Sequence, residues 1–373
     1  MPLPSLRPSM RGLAVLLVLA AAGFAVWYFL VREDDASSAP AKERAEAGHE
    51  RVSDDPVVRR MSVAQHAEQV LMLGFEGAPA EVSGDLGAIL VRAENGVAAA
   101  KALAKTDGRI PPLIAASQEG GVYRSFPDLP PAERELDIGR SDAPDAARTW
   151  AQTTAKALAA AGFHLNLFPV ADVATLDTPL AGRAFSDDAG QVAALTEQAL
   201  AGCRQGGIAC APLHFPGLGA ASQDTAEGPA TVSPPIEVLS ERDLVPFRAV
   251  AKDAPAMVLS LGLYPDFDAV VPGAMTPGVA TDLLRDDVGF KGVAISDDLS
   301  SGAVSATFET PEAAVRAIAA GTDLVQIASP EDAEGVAEAI ERATKKGEIE
   351  PARLAEAAER VLHLKRDLGL VGG

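Results

Sequence analysis

The chain has 373 residues, with 32 Lys or Arg against 52 Asp or Glu, giving a formal net charge of −20. A surface this acidic repels phosphate backbones, which excludes nucleic acid as a partner. At 48% apolar and 23% charged it is neither disordered nor a multispan membrane protein, and two cysteines exclude a disulfide scaffold or a Cys-rich zinc site.

Residues 1–12 hold Arg7 and Arg11 and no acid, so the rest of the chain carries the negative charge. Residues 13–31, LAVLLVLAAAGFAVWYFLV, follow without a charge. At about 1.5 Å per residue this run spans a hydrocarbon core of about 30 Å. Glu33, Asp34 and Asp35 lie beyond it, so the positive-inside rule puts the N-terminus in the cytoplasm and the remainder outside the membrane. Trp27 and Tyr28 sit at the interface end. The run is expected to be an uncleaved transmembrane anchor; a cleaved signal peptide is the competing reading. Residues 32–55 contain no large apolar residue except Val52 and are expected to form a disordered charged linker, with a folded domain over 56–373.

In the folded part, short apolar runs alternate with Ala-rich amphipathic stretches. Strands are expected at 71–75, 86–91, 112–117, 163–170, 208–215, 256–262, 292–298 and 323–328. Helices are expected at 142–161, 187–205, 240–253 and 310–320, with 330–346 and 352–367 closing the chain. The segment 233–247 reads as a loop entering a helix capped by Ser240. Eightfold strand–helix alternation predicts a single (β/α)8 TIM-type barrel; an open doubly wound sheet is the rival. No GxGxxG or GxxxxGK[ST] follows any strand, so no nucleotide cofactor is expected. The histidines lack metal-ligand spacing, so no metal is expected either. His164 reads as a packing residue of the fourth strand.

In a barrel, chemistry belongs at the C-terminal ends of the strands. Those ends carry Ser117, Gln118 and Glu119 after the third strand, Asp172 after the fourth and His214 after the fifth. Asp224 and Glu227 follow in a Gly/Ser-rich loop, and Asp297 and Asp298 end the seventh strand. Acids converging on one rim suit sugar chemistry, in which one carboxylate stands beside the anomeric carbon and a proton donor beside the leaving oxygen. Capping is the alternative role for such acids, and it is the expected one for Asp298 and Asp188.

Several segments then coincide with one family: MSVAQHAEQVLMLGFEG (61–77), LIAASQEGGVYRSF (113–126), FHLNLFPVADV (163–173), GRAFSDD (182–188), LHFPGLG (213–219), LYPDFD (263–268) and GFKGVAISDDLSSGA (289–303). In this order they resemble the N-terminal barrel domain of glycoside hydrolase family 3, especially its single-domain bacterial β-N-acetylglucosaminidases. The resemblance implies a carbohydrate substrate and retaining hydrolysis of β-linked N-acetylhexosaminides, including those derived from peptidoglycan. It assigns Asp297 as nucleophile and places Arg183, His214, Glu119 and Asp172 at the substrate site, with Asp172 organising the rim.

The chain also departs from the family pattern. Ser117 replaces an aspartate before Q-E-G-G, and Leu213 and Leu218 replace the lysine and second histidine of K-H-F-P-G-H-G. Ala226 stands where the general acid/base histidine is expected, although Asp224 keeps the aspartate of that pair; Leu261 occupies another histidine position. Asp224 or Glu227 then becomes the candidate proton donor, with a plain turn role for Asp224 as the alternative. Two readings follow: a membrane-anchored extracytoplasmic hydrolase, or a catalytically impaired homologue that binds glycans or a protein in the cell envelope. Cys203 and Cys210, flanking RQGGIA, read as two small buried thiols, with pairing the alternative for an exported domain.

Overall fold

A computed structural model describes residues 53, 55–75, 85–92, 96–103, 110–328 and 330–372. The expected cytoplasmic segment, the anchor at 13–31 and nearly all of the linker lie outside the described residues. No helix among the described residues is long and apolar enough to cross a membrane.

Eight parallel strands form a ring: β1 (Leu71–Phe75), β2 (Ala88–Val91), β3 (Leu113–Ala116), β6 (Leu165–Val170), β7 (Ala209–Leu213), β8 (Ala256–Leu259), β9 (Val293–Ser296) and β10 (Val325–Ile327). Six of them make one ladder in the order β10-β1-β2-β3-β6-β7, and β8 pairs with β9. Parallel bridges Phe215↔Leu259 and Ile295↔Leu324 close the two joints, so the rival open sheet is not formed. A separate hairpin, β4 (Gln118–Gly120) with β5 (Tyr123–Arg124), stands over the end of β3.

Period-two side chains explain the ring. Leu113 and Ala115 of β3, Leu165 and Leu167 of β6, and Val293 and Ile295 of β9 fill the barrel interior. The intervening Ile114, Ala116, Phe168 and Ala294 join the layer beneath the helices. Burial on both faces is why the strands read as unbroken apolar runs rather than alternating ones.

The helices 146–160, 189–206, 310–320, 330–346 and 351–367 stand where the apolar spacing places them. The stretch 240–253 does not form one helix. It divides into Ile236–Glu241 and Leu244–Val250, because Arg242 and Asp243 turn to pair with each other and Pro246 is tolerated only in a first helical turn. Ser240 therefore lies inside the first of these helices and caps nothing; its carbonyl and hydroxyl accept hydrogen bonds from Arg248. Between β8 and β9 the chain adds a wide π-helix, Gly278–Asp287, that the periodicity did not call for.

Two further expectations change. Cys203 and Cys210 are joined in a disulfide, because left-handed Gly207 reverses the chain after the 189–206 helix and brings the two Cα atoms to 6.1 Å. The barrel also begins before Pro56: Ser53 and Asp55 are buried, bonded to Glu359 and Arg366 of the last helix.

Candidate active site

The strand ends converge on one cavity of about 560 Å³. Glu119, Arg183, His214, Asp224, Asp297 and Asp298 all reach its wall, as do Ser117 and the leucines at 213 and 218. Asp172 does not. It is fully buried behind His214, so its place is in support of the wall rather than against a ligand.

Each group is fixed by a short chain of bonds. Glu119 belongs to β4, which is tied to the fourth barrel strand: the Gln118 N–H donates to Asn166 Oδ1, and Asn166 Nδ2 donates to the Gln118 carbonyl. The Gln118 amide is spent on the backbone at Phe126, Leu129 and Pro130. Gly120 and Gly121 have φ of 129° and 56° and make the hairpin turn. A Cβ on Gly120 would stand 2.2 Å from the Glu133 carbonyl oxygen. These glycines shape the turn that presents Glu119.

Arg183 grips Glu119 with both arms of its guanidinium, at 2.8 and 2.7 Å. Burial acts to lower the Arg183 pKa, but Glu119, and beyond it Asp297 and Asp172, overrule burial and raise it. The Arg183 guanidinium also lies over the Tyr123 ring, 5.4 Å from its centre.

His214 Nδ1 is 2.7 Å from Asp172 Oδ2. The same carboxylate accepts the backbone N–H of His214 and, through its other oxygen, that of Leu218. Asp172 thus sets both the imidazole and the loop that follows it. Burial opposes protonation of His214, yet the charge and hydrogen bond of Asp172, with help from Asp297, raise its pKa above the ordinary value.

Asp297 follows β9 directly, and its Oδ1 accepts the N–H of Asp298 at 2.8 Å. Asp298 forms an ion pair with Arg92 at 2.9 Å and accepts the N–H of Ser300, so it is a turn and pairing residue. Ser301 takes the N-cap position of the helix that follows. Asp188 does cap its helix, accepting from the Gln191 N–H at 2.7 Å.

Asp224 is exposed on the cavity wall, its Oδ1 accepting the N–H of Ala226 within a turn. Glu227, three residues on, does not reach the wall. The loop is held from beneath, since Gly302 and Ala303 donate to the carbonyls of Ala226 and Thr225. Leu213, Leu218 and Ala226 place carbon where the family pattern has ionisable groups, whereas Leu261 is buried away from the cavity.

Glu135 was not legible in the sequence, where it sits in the charged string PAERELD. It is fully buried; Oε1 accepts the Val170 N–H and Oε2 has no partner among the described residues. Burial, with Glu119 and Asp172 nearby, pushes its pKa well above the usual carboxylate range. Elsewhere among the described residues, no cluster of three or more His, Cys, Asp or Glu can hold a metal ion.

A closed parallel barrel with paired acids and arginines at the C-terminal rim defines a class of enzyme-like barrels with a polar ligand cavity. The model of the glycosyl hydrolase family 3 N-terminal domain matches residues 86–364, and the chain belongs to that family. Among curated relatives, a β-hexosaminidase of Stenotrophomonas maltophilia (strain K279a) is 34% identical over 232 residues, covering 59% of this chain and 68% of its own length. One from Xanthomonas oryzae pv. oryzae is also 34% identical, over 233 residues, with the same coverage. Among solved structures, a family 3 β-N-acetylglucosaminidase from Paenibacillus sp. str. FPU-7 is 27% identical with a TM-score of 0.78. That match covers 84% of this chain but only 64% of the Paenibacillus chain, just under two thirds. A β-N-acetylhexosaminidase from Beutenbergia cavernae is 28% identical with a TM-score of 0.74, over 82% of this chain and 99% of that one.

Proposed function

We propose that the chain is a retaining hydrolase of β-linked N-acetylhexosaminides. The observation that carries this reading is the pairing state of the cavity carboxylates. Four carboxylates line the wall; Glu119 is committed to Arg183 and Asp298 to Arg92. Asp297 and Asp224 form no ion pair among the described residues, and two carboxylates flanking a sugar are what retaining chemistry needs.

Asp297 attacks the anomeric carbon as the bond to the leaving oxygen breaks, giving a glycosyl-enzyme ester. Asp224, as general acid, delivers a proton to the leaving oxygen, then as general base takes one from the water that attacks the ester and restores Asp297. His214 and the Arg183–Glu119 pair hold hydroxyls, and Asp172 keeps His214 in place. With Ala226 in the histidine position, the proton step falls to Asp224. A missing donor costs about 10²–10⁴ in rate, so Asp224 is what separates the hydrolase from a homologue that only binds glycans or a protein partner.

We place the barrel outside the membrane, tethered by residues 13–31 through the charged stretch that follows them, and take envelope glycans, including peptidoglycan fragments, as its substrates. The Cys203–Cys210 disulfide supports an oxidising compartment. Full-length protein in detergent, incubated with an activated 5-fluoro aryl N-acetyl-β-hexosaminide, is expected to gain one glycosyl mass on Asp297. Such a leaving group needs little protonation, so an Asp224→Ala variant is still labelled while its turnover of an unactivated chitobioside is lost. Absence of labelling in the intact protein refutes the hydrolase reading; labelling without turnover in wild type leaves the glycan-binding homologue.

A further inference from the structure

We infer that Gln326 is the residue that reads the 2-acetamido group of the ligand, an inference that rests on the proposed N-acetylhexosaminide reading. Strand β10 alternates, with Leu324 in the barrel interior and Val325 and Ile327 in the outer layer. Gln326 is thus directed inward, two residues above Leu324, and it lines the cavity. Its neighbours on the cavity floor are aliphatic: Leu90, Leu167, Leu213 and Val258. Among the described residues, Oε1 of this amide is buried with no hydrogen-bond partner, and the residue is only 3% exposed. A leucine there would fill the same space with no polar atom to satisfy, so an unpaired amide oxygen on an apolar floor marks a position that a ligand completes.

Register identifies the part of the ligand. Ile295 of β9 pairs with Leu324 of β10, which puts Asp297 and Gln326 at the same level on adjacent strands about 4.8 Å apart. The Gln326 N–H donates to Ser296 Oγ and the Leu299 N–H to the Gln326 carbonyl, so one side-chain and one backbone bond hold Gln326 beside the segment that carries Asp297. With the anomeric carbon against Asp297, the nearest substituent is the one on C2. A carboxamide offers an acceptor and a donor in one plane, and a secondary amide answers with an N–H and a carbonyl. The acetamide methyl is then left over the leucines.

The test measures, by isothermal titration of the full-length protein in detergent, the affinities for N-acetylglucosamine and for glucose. Wild type is expected to prefer the acetamido sugar. Gln326→Leu and Gln326→Met are expected to cut that preference about five- to tenfold, the worth of one or two neutral hydrogen bonds, with glucose affinity changed less than about twofold. Two variants are used so that a folding defect in one, read from its melting temperature, does not decide the result. An unchanged preference in the folded variants overturns the role of Gln326 while leaving the hydrolase reading intact. Saturable binding of neither sugar by wild type overturns both.

Discussion

Asp172 makes the most exposed claim about the site, because a residue outside the cavity is assigned the task of setting one inside it. Replacing it with asparagine keeps the shape and changes the chemistry. The carboxylate accepts three hydrogen bonds: His214 Nδ1 at 2.7 Å, the His214 N–H at 3.2 Å and the Leu218 N–H at 2.6 Å. An asparagine retains one acceptor oxygen and turns an NH2 toward the remaining donors. At least one buried donor is orphaned, at about 1–3 kcal/mol, and a charged hydrogen bond worth about 1.5–3 kcal/mol is weakened. A combined loss of about 3 kcal/mol is large against a total of about 5–15 kcal/mol. At about 2–4 °C per kcal/mol for a large domain, melting should fall by about 6–12 °C.

The pH dependence gives a sharper reading. In the folded protein the His214 pKa is raised above its ordinary 6.5, so its contribution is complete below that value and is lost as pH rises through the folded value. In Asp172→Asn the remaining influences are burial and Arg183, which lower it, against Asp297 alone. The His214 titration, followed by imidazole NMR, is expected to move from above 6.5 to below it. The contribution of His214 to stability near neutral pH then changes sign, rising with pH instead of falling. A variant in which His214 still titrates above 6.5, with melting unchanged within about 1 °C, would falsify the assignment of Asp172 as its anchor.

Three further outcomes follow from buried groups at the opposite end of the barrel and from the disulfide. Asp323 is fully buried among Arg285, Arg353 and Arg360; burial raises its pKa, but the arginines overrule it and hold it below the usual value. Asp323→Ala should cost about 3–5 kcal/mol in urea unfolding by taking from Arg285 its carboxylate partner and leaving Arg353 and Arg360 only Glu356, and the stability that Asp323 gives wild type should be lost as pH falls through its lowered value. Burial pushes Lys365 down to about 7, with Gln69 and the Leu86 carbonyl as its acceptors. Wild type should therefore gain stability between about pH 7 and 10 relative to Lys365→Met, and equal slopes in that window would refute it. Reducing Cys203–Cys210, or replacing both with serine, removes a loop closure seven residues apart and should cost about 2 kcal/mol in the same unfolding assay.

The barrel was legible because its signal is repeated and local: eight apolar runs, doubly buried, in fixed alternation with helices. The strand ends were legible for the same reason, since Glu119, Asp172, His214 and Asp297 each directly follow or open beyond a run that marks its own end. Where the sequence misled, the deciding physics was long-range. Nothing local distinguishes Glu135 from its charged neighbours Glu133 and Arg134, yet the bond to Val170 draws it into the core while they stay exposed. Gln326 sits in an apolar run and signals nothing until the strand's inward face is known. Cys203 and Cys210 needed the left-handed turn at Gly207, which spacing alone cannot supply. The break in 240–253 had a local warning in Pro246, which outweighed the amphipathic spacing.

The departures from the family pattern and the pairing of the remaining groups point to one consequence. Where lysine and histidines are replaced by Leu213, Leu218 and Ala226, the cavity loses donors that would compete for its acids. Glu119 is then balanced by Arg183, Asp298 by Arg92 and Asp172 by His214, so most of the local charge is closed upon itself. What remains open toward a ligand is small: the carboxylates of Asp297 and Asp224, and the amide of Gln326, above an aliphatic floor. On the proposed reading, such a wall gives up hydroxyl contacts and keeps the groups assigned to telling an amino sugar from a plain one. Specificity in this cavity therefore rests on few groups, and single substitutions at them should change which sugar is held before they change the fold.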